Sequence, residues 1–84
     1  DTAAPAQQVK VDHEEIKKAR RRMQYVERDI EKLEAEIADL SGQLHDPAIY
    51  QTDKVVEVNR KLMDKQEKLN ELMEEWERLV GVIG

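Results

Sequence analysis

Apolar residues recur along the first half of the chain at Ile16, Ala19, Met23, Val26, Ile30, Leu33, Ile37, Leu40 and Leu44. The steps alternate three and four without a break, the period of a helix that keeps one seam turned toward a partner. Asp12 stands where an N-cap belongs, with Glu15 three residues on in the arrangement of a capping box. Ser41-Gly42 would make a natural stop, but Leu44 keeps the pattern, so the first helix is predicted over about 13–44. A second seam runs through Val55, Val58, Leu62, Lys65, Leu69, Leu72, Trp76, Leu79 and Ile83. It has one polar break, at Lys65 or its neighbour Gln66, and is flanked by Met63, Met73 and Val80. Thr52 or Asp53 is placed to cap its start, and Gly81 offers a left-handed stop just after Val80. The second helix is therefore predicted over about 53–80, with 81–84 as a tail.

The connection, 45–52, is short. Asp46-Pro47 puts a capping side chain before a proline at a first helical position, which predicts a single short helical turn. Ile49 and Tyr50 are apolar enough to fold over the end of the seam. So few residues cannot carry the chain back for a parallel return, so the helices must run antiparallel. Pairing outward from the turn sets Leu44 against Val55, Leu40 against Val58 and Ile37 against Leu62. Leu33 then faces the polar break, Ile30 faces Leu69, Val26 faces Leu72, Met23 faces Trp76 and Ala19 faces Leu79. The fold class expected is all-α: a monomeric two-helix antiparallel coiled-coil hairpin over residues 13–80, about 45 Å long at ~1.5 Å of rise per residue.

Composition supports that shape. Of the 84 residues 39% are charged and only 4% aromatic, too few large apolar groups for a compact globule, so stability rests on a thin seam. The absence of cysteine removes disulfides and thiolate metal sites and fits a reducing compartment. No apolar run is long enough to span a bilayer. Residues 1–12 open with Ala, Pro and Gln, which reads as a linker, and the missing initiator Met suggests a piece of a longer protein.

Candidate chemistry is sparse. His13 and His45 fall at opposite ends of the hairpin, so they cannot share a metal. There is no glycine-rich phosphate loop and no Ser/His/Asp constellation. Glu74, Glu75 and Glu77 read as solvated charge on an open helix. No catalytic residue, metal or cofactor is expected in this domain.

Charge changes the picture more. The net value is −5, yet residues 1–28 hold seven bases and five acids, against seven bases and fourteen acids in 29–84. The outward heptad positions of the first helix carry Lys18, Arg21, Tyr25, Arg28 and Lys32, a basic stripe broadened by Lys17, Arg20 and Arg22. The same positions of the second helix carry Glu57, Arg60, Asp64, Glu67, Glu71, Glu74 and Arg78. A stripe of the first kind suits a phosphate backbone, with Tyr25 free to stack on a base or sugar. The plainer alternative is a solvated face neutralised by intrahelical pairs such as Glu14–Lys18.

The stretch Leu33-Glu34-Ala35-Glu36-Ile37-Ala38-Asp39-Leu40, the turn Leu44-His45-Asp46-Pro47-Ala48-Ile49-Tyr50 and the closing Glu74-Glu75-Trp76-Glu77-Arg78-Leu79 together resemble one family. They look like the C-terminal coiled-coil extension of ABC-F ATPases, with its leucine heptads, Asp-Pro-x-x-Tyr turn and late Trp. The resemblance covers about 13–80. It implies a cytoplasmic parent, Uup-like or ribosome-associated, whose two ATP-binding cassettes hydrolyse ATP while the hairpin itself is not an enzyme. It also implies a partner in DNA, ribosomal RNA or tRNA for the hairpins of some members, which are translation factors, resistance proteins or DNA-associated proteins. A protein–protein arm using Met63, Met73 and Val80 is the second reading. An unrelated hairpin, such as the tRNA-gripping arm of a synthetase, is the third.

Overall fold

A computed structural model describes residues 12–84. Helix α1 spans His13–Leu44, a single turn of 3-10 helix spans Pro47–Gln51, and helix α2 spans Lys54–Ile83. The two long helices run antiparallel and pack along their whole shared length.

Every one of the eighteen seam positions read from the sequence is buried or half-buried. Outside the seam only Glu36, Ser41, Ile49 and Glu75 share that status among the described residues. The 3.5-residue period is thus the whole folding code of this hairpin, because an antiparallel pair has only one surface to bury. Val26, Leu33 and Leu72 form the buried cluster, with Ile30, Leu69, Trp76 and Leu79 packed against it. That membership agrees with the register expected from the turn outward, in which Val26 faces Leu72 and Ile30 faces Leu69. Lys65, not Gln66, fills the polar break: it is half-buried, whereas Gln66 is exposed. Its ammonium leaves the seam sideways and meets Glu36 Oε1 at 2.9 Å, so the aliphatic stem stays among leucines while the charge stays wet.

Side chains satisfy the backbone at each end. Asp12 caps α1 by accepting from the Glu14 N–H at 3.1 Å, one residue earlier than a capping box requires. At the tip, His45 Nδ1 contacts the Ser41 carbonyl at 2.8 Å, and the Tyr50 hydroxyl donates to the Leu44 carbonyl at 2.7 Å. Two of the last carbonyls of α1 therefore gain partners that the helix itself cannot supply. Asp46 accepts from the Ala48 N–H at 3.0 Å with Pro47 behind it, starting the 3-10 turn. Thr52 closes it: its hydroxyl donates to the Ile49 carbonyl at 3.0 Å and accepts from the Lys54 N–H at 3.2 Å. The Asp-Pro-x-x-Tyr sequence is thus a set of caps, and the turn needs no residue at positive φ.

Of the two candidates for capping α2, Thr52 makes the bond and Asp53 does not. One expectation needs correction. Gly81 does not stop α2, and residues 81–84 are not a tail: the helix continues through Gly81 to Ile83, and only Gly84 takes a positive φ. Ile83 is the next seam position and is half-buried at the level of Ile16. Burying that side chain is worth more than the ~1 kcal/mol penalty of a helical glycine. Of the expected linker, residues 1–11 lie outside the described residues.

Candidate functional site

The basic stripe lies on the half of α1 remote from the tip. Lys18, Arg21, Tyr25, Arg28 and Lys32 are all exposed, as are Lys17 and Arg20. They recur on the face turned away from α2 because the seam fixes the rotation of the helix, leaving the outward heptad positions no choice. From Lys18 to Lys32 the line is about 21 Å long, the length of roughly six nucleotides of one duplex strand. Tyr25 stands in its middle, 56% exposed.

Ion pairing separates residues that the sequence presents as equals. Among the described residues two side-chain ion pairs form, and both join the helices: Arg22 to Glu75 and Lys65 to Glu36. Arg22 grips Glu75 with two bonds, Nε to Oε2 at 2.6 Å and a terminal nitrogen to Oε1 at 3.0 Å. Its pKa is raised, first by that hydrogen bond and then by the carboxylate's charge. Glu75 in turn is held below the usual carboxylate range by the hydrogen bond from Arg22, which outweighs its partial burial. Glu36 is lowered in the same way by the bond from Lys65, with Lys32 adding a smaller effect. Arg22 therefore braces the two helices, on the flank of the seam rather than on the back of α1. The intrahelical pair Glu14–Lys18 is not formed, and the remaining stripe residues carry no ion pair among the described residues.

Residues on α2 bring charges of both signs beside the stripe in a way the sequence reading missed. Asp29, Lys32, Glu36, Lys65 and Lys68 ring a shallow groove floored by Leu33 and Leu72. Lys32 of the stripe thus shares a groove with two lysines of the other helix, of which Lys65 is paired with Glu36. The signal was present in the heptad: Lys54, Lys61 and Lys68 share the flanking position next to the seam, whereas only the outermost positions of α2 are mainly acidic. On the opposite flank, the Trp76 indole N–H donates to Glu27 Oε2 at 3.1 Å, a second cross-helix bond that sequence reasoning did not find.

Nothing else converges. His13 and His45 sit at the two ends of α1, and among the described residues no three His, Asp or Glu side chains gather as metal ligands would. No helix among them is long and apolar enough to cross a membrane.

Comparison with known proteins bears on the whole hairpin. No match was found among curated proteins or among solved structures. A family model described as "ABC transporter C-terminal domain" matches residues 14–80, nearly the full span of seam and tip. The reading as an unrelated arm is thereby set aside. The chain belongs to the ABC transporter C-terminal domain family, and its hairpin is an accessory C-terminal domain of the ABC-F type of ATPase.

Proposed function

We propose that this hairpin is a non-catalytic arm through which a cytoplasmic ABC-F ATPase contacts nucleic acid, DNA or ribosomal RNA or tRNA, along the outer face of α1. ATP binding and hydrolysis belong to the parent's cassettes, and the arm needs no cofactor of its own. The observation that carries the reading is the line of Lys18, Arg21, Arg28 and Lys32 around Tyr25, exposed and without ion pairs among the described residues. Four cations held side by side repel one another and add nothing to the seam, a cost that a phosphate backbone would relieve. The acidic back of α2 works with them: it repels a polyanion from the other side, so approach is steered to one face.

Fluorescence anisotropy with labelled single-stranded and duplex DNA and RNA tests this directly. The unmodified chain binds at low salt and releases as salt rises. The combined variant K18E, R21E, R28E and K32E, with unchanged helicity, loses binding. Retained binding with the same salt dependence overturns the assignment.

A further inference from the structure

The flank of the seam opposite the basic stripe has a different character. Of the eight flanking positions of α2 on that side between Val56 and Val80, only Glu77 is charged. On the other side, the eight from Lys54 to Arg78 are all charged. On the first flank Asn59, Gln66 and Asn70 are polar, but the other four are apolar where a helix that only had to stay in solution would be polar. Val56 is 71% exposed, Met63 68% and Met73 48%, and the seam needs none of them.

At the centre of this flank lies an open groove of about 380 Å³, lined by Glu27, Ile30, Glu31, Met73 and Trp76. Its floor is apolar and already ordered. The Glu27 carboxylate holds the Trp76 indole by its N–H at 3.1 Å, and the ring is only half-buried. Tryptophan and methionine in such a setting are the side chains most suited to receive another protein's apolar anchors. Beside Met73 and Trp76 the rim on the α1 side is acidic: Glu27, Glu31 and Glu34 occupy consecutive turns and, among the described residues, none is ion-paired, while Lys17 and Arg20 lie farther along, toward Val80. Phosphate is therefore repelled here.

We infer that this flank is a docking groove for a cationic amphipathic segment of a partner protein. Its apolar side chains would lie over Met63, Met73 and Trp76, with Lys or Arg against Glu27, Glu31 and Glu34. From Met63 to Val80 the strip is about 26 Å long, which fits roughly 18 residues of partner helix. A second copy of the chain suits it less. The outward stripe of α1 with its one aromatic, Tyr25, faces away from this flank, and Lys17 and Arg20, the two bases of α1 on it, lie at the Val80 end, away from Met63, Met73 and Trp76. The inference is independent of the nucleic-acid reading, since it uses no residue of the stripe.

The chain contains a single Trp, so Trp76 fluorescence reports occupancy of the groove. The probe is a Trp-free helical peptide of about 18 residues, with leucines on one face and lysines on the other. Its control is a scrambled peptide of the same composition. The expected result is a saturable blue shift with the amphipathic peptide only. M73Q should weaken binding about tenfold, the worth of losing one partly buried apolar side chain. E31Q with E34Q should weaken it and flatten its salt dependence, and R21E with R28E should leave it unchanged. All of these positions are exposed, and circular dichroism checks that each variant stays folded. No spectral change, an equal response to the scrambled peptide, or insensitivity to M73Q would overturn the inference. So would a Met73-dependent blue shift on concentrating the chain alone, which would make a second copy the occupant.

Discussion

Arg21 and Arg22 are neighbours in the chain, but the structure pairs only one of them. Arg21 points outward in the stripe, whereas Arg22 is locked to Glu75 by two short bonds. On the proposed function, the four unpaired cations on the outward line, Lys18, Arg21, Arg28 and Lys32, would set the number of phosphates engaged. With ~0.9 counterions released per phosphate on duplex DNA, the logarithm of affinity should fall against the logarithm of salt with a slope of about −3.6. Raising salt from about 50 to about 200 mM then weakens binding roughly 150-fold. R21A removes one contact, taking the slope to about −2.7 and that loss to roughly 40-fold. On single strands, with ~0.7 per phosphate, the corresponding slopes are about −2.8 and −2.1. R22A should leave the slope where it was and lower the melting temperature instead, because it unpairs Glu75. Anisotropy titrations at several salt concentrations, with thermal melts of the same samples, measure both effects. An unchanged slope in R21A, or a reduced slope in R22A, would refute the division of labour drawn from the ion pairs.

Three further outcomes concern the seam and its ends. Val26 is fully buried, and V26A deletes two methyl groups and leaves a gap, costing about 2 kcal/mol or roughly 8–16 °C in melting temperature. Met63→Ala at its 68% exposed site should cost less than ~0.5 kcal/mol; equal shifts for the two would contradict the seam. Gly81 is helical, with open space where a Cβ would stand, so G81A should stabilise by about 0.5 kcal/mol, whereas a left-handed stop at Gly81 would make the same change destabilising. Glu36 and Glu75 have lowered pKa values, so each contributes stability that is fully present above the ordinary carboxylate range and is lost as pH falls through its depressed folded value. Thermal melts from neutral to acid pH should show that loss, and E36Q with E75Q should flatten it while lowering the melting temperature at neutral pH.

The elements were legible because their cause is local. A 3.5-residue apolar period specifies which side of each helix is buried before any partner is known, and the described structure buries or half-buries every position so marked. The tip was legible for a related reason, since Asp46, Pro47 and Tyr50 act within a few residues of the backbone groups they serve. Gly81 was misread because its local preference competes with burial of Ile83, and only the length of α1 opposite decides whether that burial is available.

The sequence by itself therefore determined the hairpin, its register and the outward placement of the basic stripe, all consequences of periodicity and a short turn. What only the tertiary structure decided was which charges are spoken for. Pairing of Arg22 with Glu75, of Lys65 with Glu36 and of Trp76 with Glu27 depends on how closely two helices settle against each other across the seam. It also decided that Lys32 and Lys68 share one flank while Met73 and Trp76 open onto the other. A heptad names the positions that flank a seam, but a flank becomes a surface only when the second helix is laid against it.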